Sequence, residues 1–223
     1  MNIEQAYLKF LEKVNKNFTN DNIEVDRGRF IMIFNEAQNK IVEWILEKRN
    51  EDEIRYIQKL LIYDKKLELK NKILNHENFS LPKDFFSFSN VQVYADSGSC
   101  KSDKLYAFEI KQENIEELLQ DEFNKPSFEY RETFYSIGSD SINIYTLNEF
   151  TIGKVFLTYY RYPIQVDIEG YLKDDGKYSI NINPEFDDKL VDRILTNCAK
   201  EFSVNNDNLD KYQVEKDRIY SKI

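Results

Sequence analysis

The first third of the chain is patterned at helical spacing. Ile3, Ala6, Tyr7, Phe10, Leu11, Val14 and Phe18 recur three or four residues apart, which predicts an amphipathic helix over residues 3 to 18. The run Asn-Phe-Thr-Asn-Asp-Asn then breaks it. Asp26 is placed to cap a second helix whose apolar face is Phe30, Ile33, Phe34, Ala37, Ile41, Trp44 and Ile45, ending near Arg49-Asn50. Asn50 or Asp52 caps a third, with Ile54, Ile57, Leu60 and Leu61 inward. Its end is ambiguous, because Leu61-Ile-Tyr63 also reads as a strand start and residues 65 to 74 mix both periods. Three helices joined by short polar breaks predict an N-terminal helical bundle over residues 1–78.

From Phe79 the period changes to two. Val91–Ala95, Lys104–Ile110, Ser127–Tyr135, Ser141–Tyr145, Lys154–Tyr162, Val166–Ile168 and Tyr178–Ile182 read as short strands separated by turn chemistry. Asn114–Leu119 is a helical turn or two among them. The β-branched and aromatic stretch Val155-Phe-Leu-Thr-Tyr-Tyr-Arg-Tyr-Pro163 is the strongest strand signal. The spacing predicts an antiparallel, sandwich- or barrel-like β domain over residues 79–183.

Pro184-Glu-Phe-Asp-Asp188 opens a last helix, where a missing N–H is harmless and acids are favoured. Phe186, Leu190, Ile194, Cys198 and Phe202 make a continuous stripe that should pack residues 184–206 back on the core. Residues 207–223 are highly charged, with sparse apolar positions at Tyr212, Val214, Ile219 and Ile223. Such a tail cannot bury enough surface alone, so it is expected to be mobile or completed by a neighbouring subunit. The fold class is therefore α+β: bundle, β domain, docking helix and tail.

The net charge of −9 makes sequence-specific nucleic-acid binding improbable, although an acidic wall suits a conduit that must not stick to DNA. No apolar run reaches 18 residues and the N-terminus lacks a basic flank, so synthesis in a cytoplasm is expected. With 15 Tyr and 16 Phe, the chain is rich in residues used for extensive protein contact, or simply has an aromatic core.

Candidate chemistry is thin. His76 is the only histidine, which excludes a Ser-His-Asp triad or a multi-histidine metal site, and its polar bend predicts exposure. Glu116-Glu117, Asp121-Glu122 and Asp187-Asp188 fit solvated faces or helix ends better than paired catalytic acids. The 6 glycines form no phosphate cradle, and Cys100 and Cys198 have no metal-type spacing. No catalytic residue, metal or cofactor is assigned. Arg161, flanked by Tyr159, Tyr160 and Tyr162, is either a strand-end arginine stacked on tyrosines or a partner contact.

Phe34-Asn-Glu-Ala-Gln38, Tyr159-Tyr-Arg-Tyr-Pro163 and Pro184-Glu-Phe-Asp-Asp188, with the order of parts, resemble the head–tail connector (adaptor, or ring) proteins of tailed bacteriophages. Tail tubular proteins of short-tailed phages are similar, as are ring proteins of crAss-like phages. The resemblance implies a virion protein forming a closed ring of twelve copies between portal and tail. Its partners would be itself, the portal protein and neighbouring connector or tail proteins, with genomic DNA passing through unbound. Tyr159, Tyr160, Arg161, Tyr162, Tyr212, Ile219 and Ile223 are then the interface candidates. Two other classes compete: a β module with an aromatic cleft for carbohydrate or receptor, and an accessory protein of nucleic-acid processing.

Overall fold

The structure, a computed structural model, describes residues 1–17, 24–98, 100–121, 125–173 and 176–204. The chain is mixed α+β and divides into two compact units: Met1–Lys59 together with the chain from Pro163, and Leu60–Tyr162.

The first unit holds α1 (Ile3–Asn17), α2 (Arg27–Lys48), α3 (Glu51–Ile54) running into a 3-10 turn at Arg55–Leu60, and α5 (Asp188–Val204). Asp26 caps α2 by accepting the Arg29 N–H at 3.0 Å, and Asn50 caps α3. α5 opens later than its proline: the Asp187 carboxylate accepts the Leu190 N–H at 2.9 Å, so Pro184–Phe186 is a lead-in. The core is aromatic. Phe30 meets Tyr7, Phe10 and Phe34 at 5.3, 5.1 and 5.7 Å between ring centroids, and Phe10 meets Phe202 of α5 edge-on at 6.0 Å. Each such ring, fully buried, contributes roughly 1.5–3 kcal/mol. The buried face of α2 runs through Ile31, Gln38 and Val42, while Trp44, expected inward, is 40 % exposed beneath the Arg193 guanidinium. Cys198 is buried, and burial pushes its thiol up, leaving it inert.

Residues 163–183, expected in the β domain, belong to this helical unit. Two buried-side amides of α2 explain why. Asn35 exchanges both bonds with Val166, accepting its N–H at 2.9 Å and donating to its carbonyl at 3.1 Å. Gln38 donates to the Ile164 carbonyl at 3.2 Å and to Asn35 at 2.9 Å. The segment is held as if α2 were a neighbouring strand. Its expected strands reduce to the isolated bridges Asp167↔Ile182 and Leu172↔Tyr178.

The second unit is one eight-stranded sheet in the order β1-β8-β4-β5-β6-β7-β3-β2. The strands are β1 (Leu61–Lys66), β2 (Leu69–Ile73), β3 (His76–Ser80), β4 (Phe85–Ser97), β5 (Cys100–Glu109), β6 (Glu132–Ile137), β7 (Ser141–Tyr145) and β8 (Thr151–Arg161). β1 to β3 thus occupy residues 61–80, where the bundle was expected to continue to 78. β1 opens on Leu61-Ile-Tyr63, which also reads as a strand start, whereas the Lys- and Asn-rich β2 and β3 have little strand propensity and pairing with β7 decides the outcome.

The sheet is curled. β1 and β2 lie at opposite ends of the order yet are joined by Leu67-Glu68 alone. The Leu67 N–H donates to the Val155 carbonyl on β8 at 2.9 Å, while the next carbonyl, that of Glu68, accepts the N–H of Ser80 at the end of β3 at 2.9 Å. Successive residues of an extended chain point to opposite sides, so this link carries pairing from one end of the sheet to the other. Register slips in β4 against β8 supply the bending, and at one of them a Cβ on Gly153 would lie 2.9 Å from the Asp96 carboxylate, which would have to shift. Glu77 closes the seam between β3 and β8: it accepts the Ile152 N–H at 3.2 Å and pairs with Lys72 at 2.9 Å, although almost wholly buried.

One ladder departs from the antiparallel expectation. β5 and β6 are parallel, with the crossover through a 3-10 turn and α4 (Ile115–Gln120), because parallel neighbours need a long connection. The unit begins and ends on paired strands, Leu61 opposite Tyr160, so it sits as an insertion whose entry and exit are adjacent.

Candidate functional site

Alternation on β8 separates the tyrosines. Tyr159 is 2 % exposed and lies in the sheet core, its hydroxyl donating to Asp84 at 2.9 Å and its ring 5.8 Å from Phe85. Burial, then the bond to Asp84, pushes its pKa up to about 12. Within the unit this interface candidate is a core residue. Tyr160 points to the opposite face, half-buried, its pKa raised by burial. Arg161 donates to the Tyr162 carbonyl at 2.9 Å, and Tyr162 is exposed with its ring 4.5 Å from Phe86. Tyr212, Ile219, Ile223 and the rest of the tail 207–223 lie outside the described residues.

What the sheet assembles instead is a row across five strands. Phe108 on β5 stands opposite Phe134 on β6, Phe134 opposite Tyr145 on β7, Tyr145 opposite His76 on β3, and His76 opposite Ile73 on β2. Their neighbours Tyr135 and Ile144 point into the core, so the row lies on the outer face. Leu74 and Tyr106 flank it, both exposed. His76 was expected in a solvent-facing bend; it opens β3 half-buried, its ring 5.3 Å from Tyr145. Burial lowers its pKa, which favours the neutral imidazole.

Beside this row runs a polar one. Asn78 donates to Asn143 at 2.6 Å and to Ser141 at 3.1 Å, Asn143 donates to Ser136 at 3.3 Å, and Ser136 shares a bond with the Tyr145 hydroxyl at 3.1 Å. The Asn78 carbonyl oxygen is buried without a partner. These bonds hold the central side chains of the row in fixed orientations. The centre of the row is closed, with Tyr145 4 % exposed and Phe134 and His76 half-buried, so only its ends, Ile73 on β2 and Phe108 on β5, stand clear.

A second surface belongs to the helical unit. The arm over residues 166–182 presents Leu172, Tyr178 and Ile180 outward, all strongly exposed. Its base is built around one buried carboxylate. Asp167 accepts the N–H groups of Ile168 at 2.9 Å and Ile180 at 3.4 Å, the Tyr171 hydroxyl at 2.8 Å, and the Lys173 ammonium at 2.5 Å. Burial alone would raise its pKa, but Lys173, Tyr171 and the backbone donors outweigh that and hold it below the usual carboxylate range. Gly170 turns the arm at φ +115, a conformation other residues rarely adopt.

Sequence reading missed both surfaces. The row had one visible signal: Lys104-Leu-Tyr-Ala-Phe108 is apolar on both faces, and only Leu105 and Ala107 are needed inside. Among the described residues no group of three or more His, Cys, Asp or Glu is placed to hold a metal ion, and no helix is long and apolar enough to cross a membrane. The chain matches no protein-family model and no curated protein.

Proposed function

We propose that this chain is a non-enzymatic virion structural protein, forming a ring in a phage head–tail connector between portal and tail, around the DNA exit channel. The observation that supports it best is that each unit carries exposed large apolar side chains, Leu172, Tyr178 and Ile180 on one and Tyr106 and Phe108 on the other. A closed ring of identical subunits is built from heterologous contacts, so every copy must offer two different faces. The three sequence echoes add to this. Phe34–Gln38 is the α2 clamp on residues 164–166, Tyr159–Pro163 is the exit from the sheet unit, and Pro184–Asp188 leads into α5. In this reading α5 is the docking helix, the curled sheet is the barrel-like domain, and the net charge of −9 keeps the channel wall from holding DNA.

The test is the mass of the purified protein across concentration, by light scattering and native mass spectrometry. Discrete species near twelve copies, formed alone or on adding a portal protein, are expected. Because like-charged copies repel, assembly should strengthen as salt rises.

One observation favours a second reading. An aromatic strip beside an amide row is also what a carbohydrate- or receptor-binding module of a tail component would present. A strict monomer that ignores portal protein but is retained by immobilised glycan would carry that reading instead.

A further inference from the structure

We infer that the acidic ridge at α4 of one copy docks on a lysine-flanked aromatic patch of the next, with Glu113, Glu116 and Glu117 meeting Lys66, Lys104 and Lys154 over the rings of Tyr94 and Phe156. The inference rests on the ring reading and names its contact. The occupant of the patch is a second copy of this chain.

The patch is built by strand register. Lys154 of β8, Tyr94 of β4 and Lys104 of β5 stand side by side in one row, and Lys66 of β1, Phe156 of β8 and Gln92 of β4 in the next. Their neighbours Val93, Leu105, Val155 and Leu157 lie in the core, so both rows face outward. Side chains directly opposite on antiparallel strands are about 5 Å apart, which makes the six one continuous surface. Tyr94 meets Phe156 edge-on at 5.8 Å, and Lys104 donates to Gln92 at 3.2 Å. The rings are half-buried and the lysines exposed.

What the patch lacks is counter-charge. The chain carries 40 acidic against 31 basic residues, yet Lys66, Lys104 and Lys154 form no ion pair among the described residues. The carboxylates at its rim are bonded elsewhere: Asp64 accepts from Gln92 at 2.8 Å, and Asp96 accepts the Ser102 N–H at 2.7 Å.

The ridge has the opposite lack. Glu113, Glu116 and Glu117 are three and four residues apart across the 3-10 turn and α4, so they share one side. Ile115 is buried and anchors the other side. All three acids are exposed and form no ion pair among the described residues. One unit thus presents unmatched cations and unmatched anions that do not meet within a copy.

Between copies they match three to three. Pairs closed over Tyr94 and Phe156 are partly desolvated, so salt screens them less than it screens the repulsion between whole copies. Such pairing fixes orientation and register. It joins two different surfaces, so it propagates from copy to copy as a ring requires.

The test is charge reversal in the full-length chain. Lys104→Glu with Lys154→Glu makes the patch acidic, and Glu116→Lys with Glu117→Lys makes the ridge basic. All four residues are exposed, so both variants should keep the wild-type circular dichroism spectrum. Each alone should need about tenfold more protein, or beyond, to assemble, because like charges now face each other. Mixed in equal amounts, the patch of each variant suits the ridge of the other, and assembly should return to wild-type concentrations with the two alternating. If either variant assembles like the wild type, or if the mixture assembles no better than its parts, the ridge-on-patch contact is overturned while the ring reading stands. If the wild type is monomeric alone at every concentration, this contact is overturned too, and the ring reading is then decided by assembly on portal protein.

Discussion

The helical unit and the sheet unit close their cores in opposite ways. The sheet unit is continuous in sequence, Leu60–Tyr162, and its first and last strands pair with each other. The helical unit is assembled from both ends of the chain: Phe10 of α1 needs Phe202 of α5, and Asn35 of α2 needs Val166. One core closes within a single stretch of about a hundred residues, the other joins residues nearly two hundred positions apart. A unit closed by distant segments fails as a whole when either segment is lost, whereas an insertion with adjacent ends can stand by itself.

The most drastic way to break this comparison is to cut the chain. A fragment of residues 60–162 should fold cooperatively, with a β-type circular dichroism spectrum. A fragment of residues 1–59 should lack cooperative helix, since its apolar stripe has lost α5. A folded 1–59 fragment would show that the helices need no closure from the distant end.

Next in size is Phe30→Ala, which empties the centre of the aromatic cluster and should cost about 3–5 kcal/mol in denaturant unfolding. The matching probe of the sheet unit is Glu77→Ala. It strands the Ile152 N–H and Lys72 at the seam between β3 and β8, and the expected cost is on the order of 2 kcal/mol. Glu77→Gln keeps an acceptor for Ile152 and should cost less. Equal losses for the two substitutions would mean that the charge, not the backbone bond, closes the seam.

Asp167→Asn tests the arm base and should cost about 1–3 kcal/mol, since Lys173 and Tyr171 lose their charged acceptor. Its pH dependence has a fixed sign. The folded pKa is depressed, so this stability is present above the unfolded value of about 3.9 and is lost as pH falls through the folded one. The wild type should therefore weaken in mild acid more than the Asn variant does, read by thermal melts from pH 6 to pH 2.

The smallest effects separate two adjacent candidates. Tyr159→Phe removes the bond to Asp84 and should cost about 1 kcal/mol. Tyr162→Ala, at an exposed position, should stay within about 0.5 kcal/mol of wild type. A reversal of that order would place the β8 alternation on the wrong face.

Periodicity by itself determined a great deal here. The stripes of α1, α2 and α5 follow from spacing of 3 and 4, because a helix buries one face whatever lies opposite. Asp26 was legible as a cap, and Asn50 as one of two candidates with Asp52, since capping depends on bonds within a few residues. Ser141–Tyr145 was read to its ends, and the strand expected at Lys154–Tyr162 to within a few residues. Cys198 was recognisable as a buried thiol from its place on the α5 stripe.

Only the tertiary structure decided the rest, because it depends on what stands opposite. β2 and β3, Leu-Lys-Asn-Lys-Ile and His-Glu-Asn-Phe-Ser, have no strand signature of their own and are strands because β7 offers a ladder. The parallel turn of β5 to β6 is set by a crossover, which alternation cannot report. Residues 163–183 join the helices through Asn35 and Gln38, two amides that look like any polar helix residue until Val166 and Ile164 arrive beside them. The row from Phe108 to Ile73 takes one residue from each of five strands, so it exists only in their register. Local patterns determine which face of an element is apolar; long-range pairing determines which of those faces meet and which are left open.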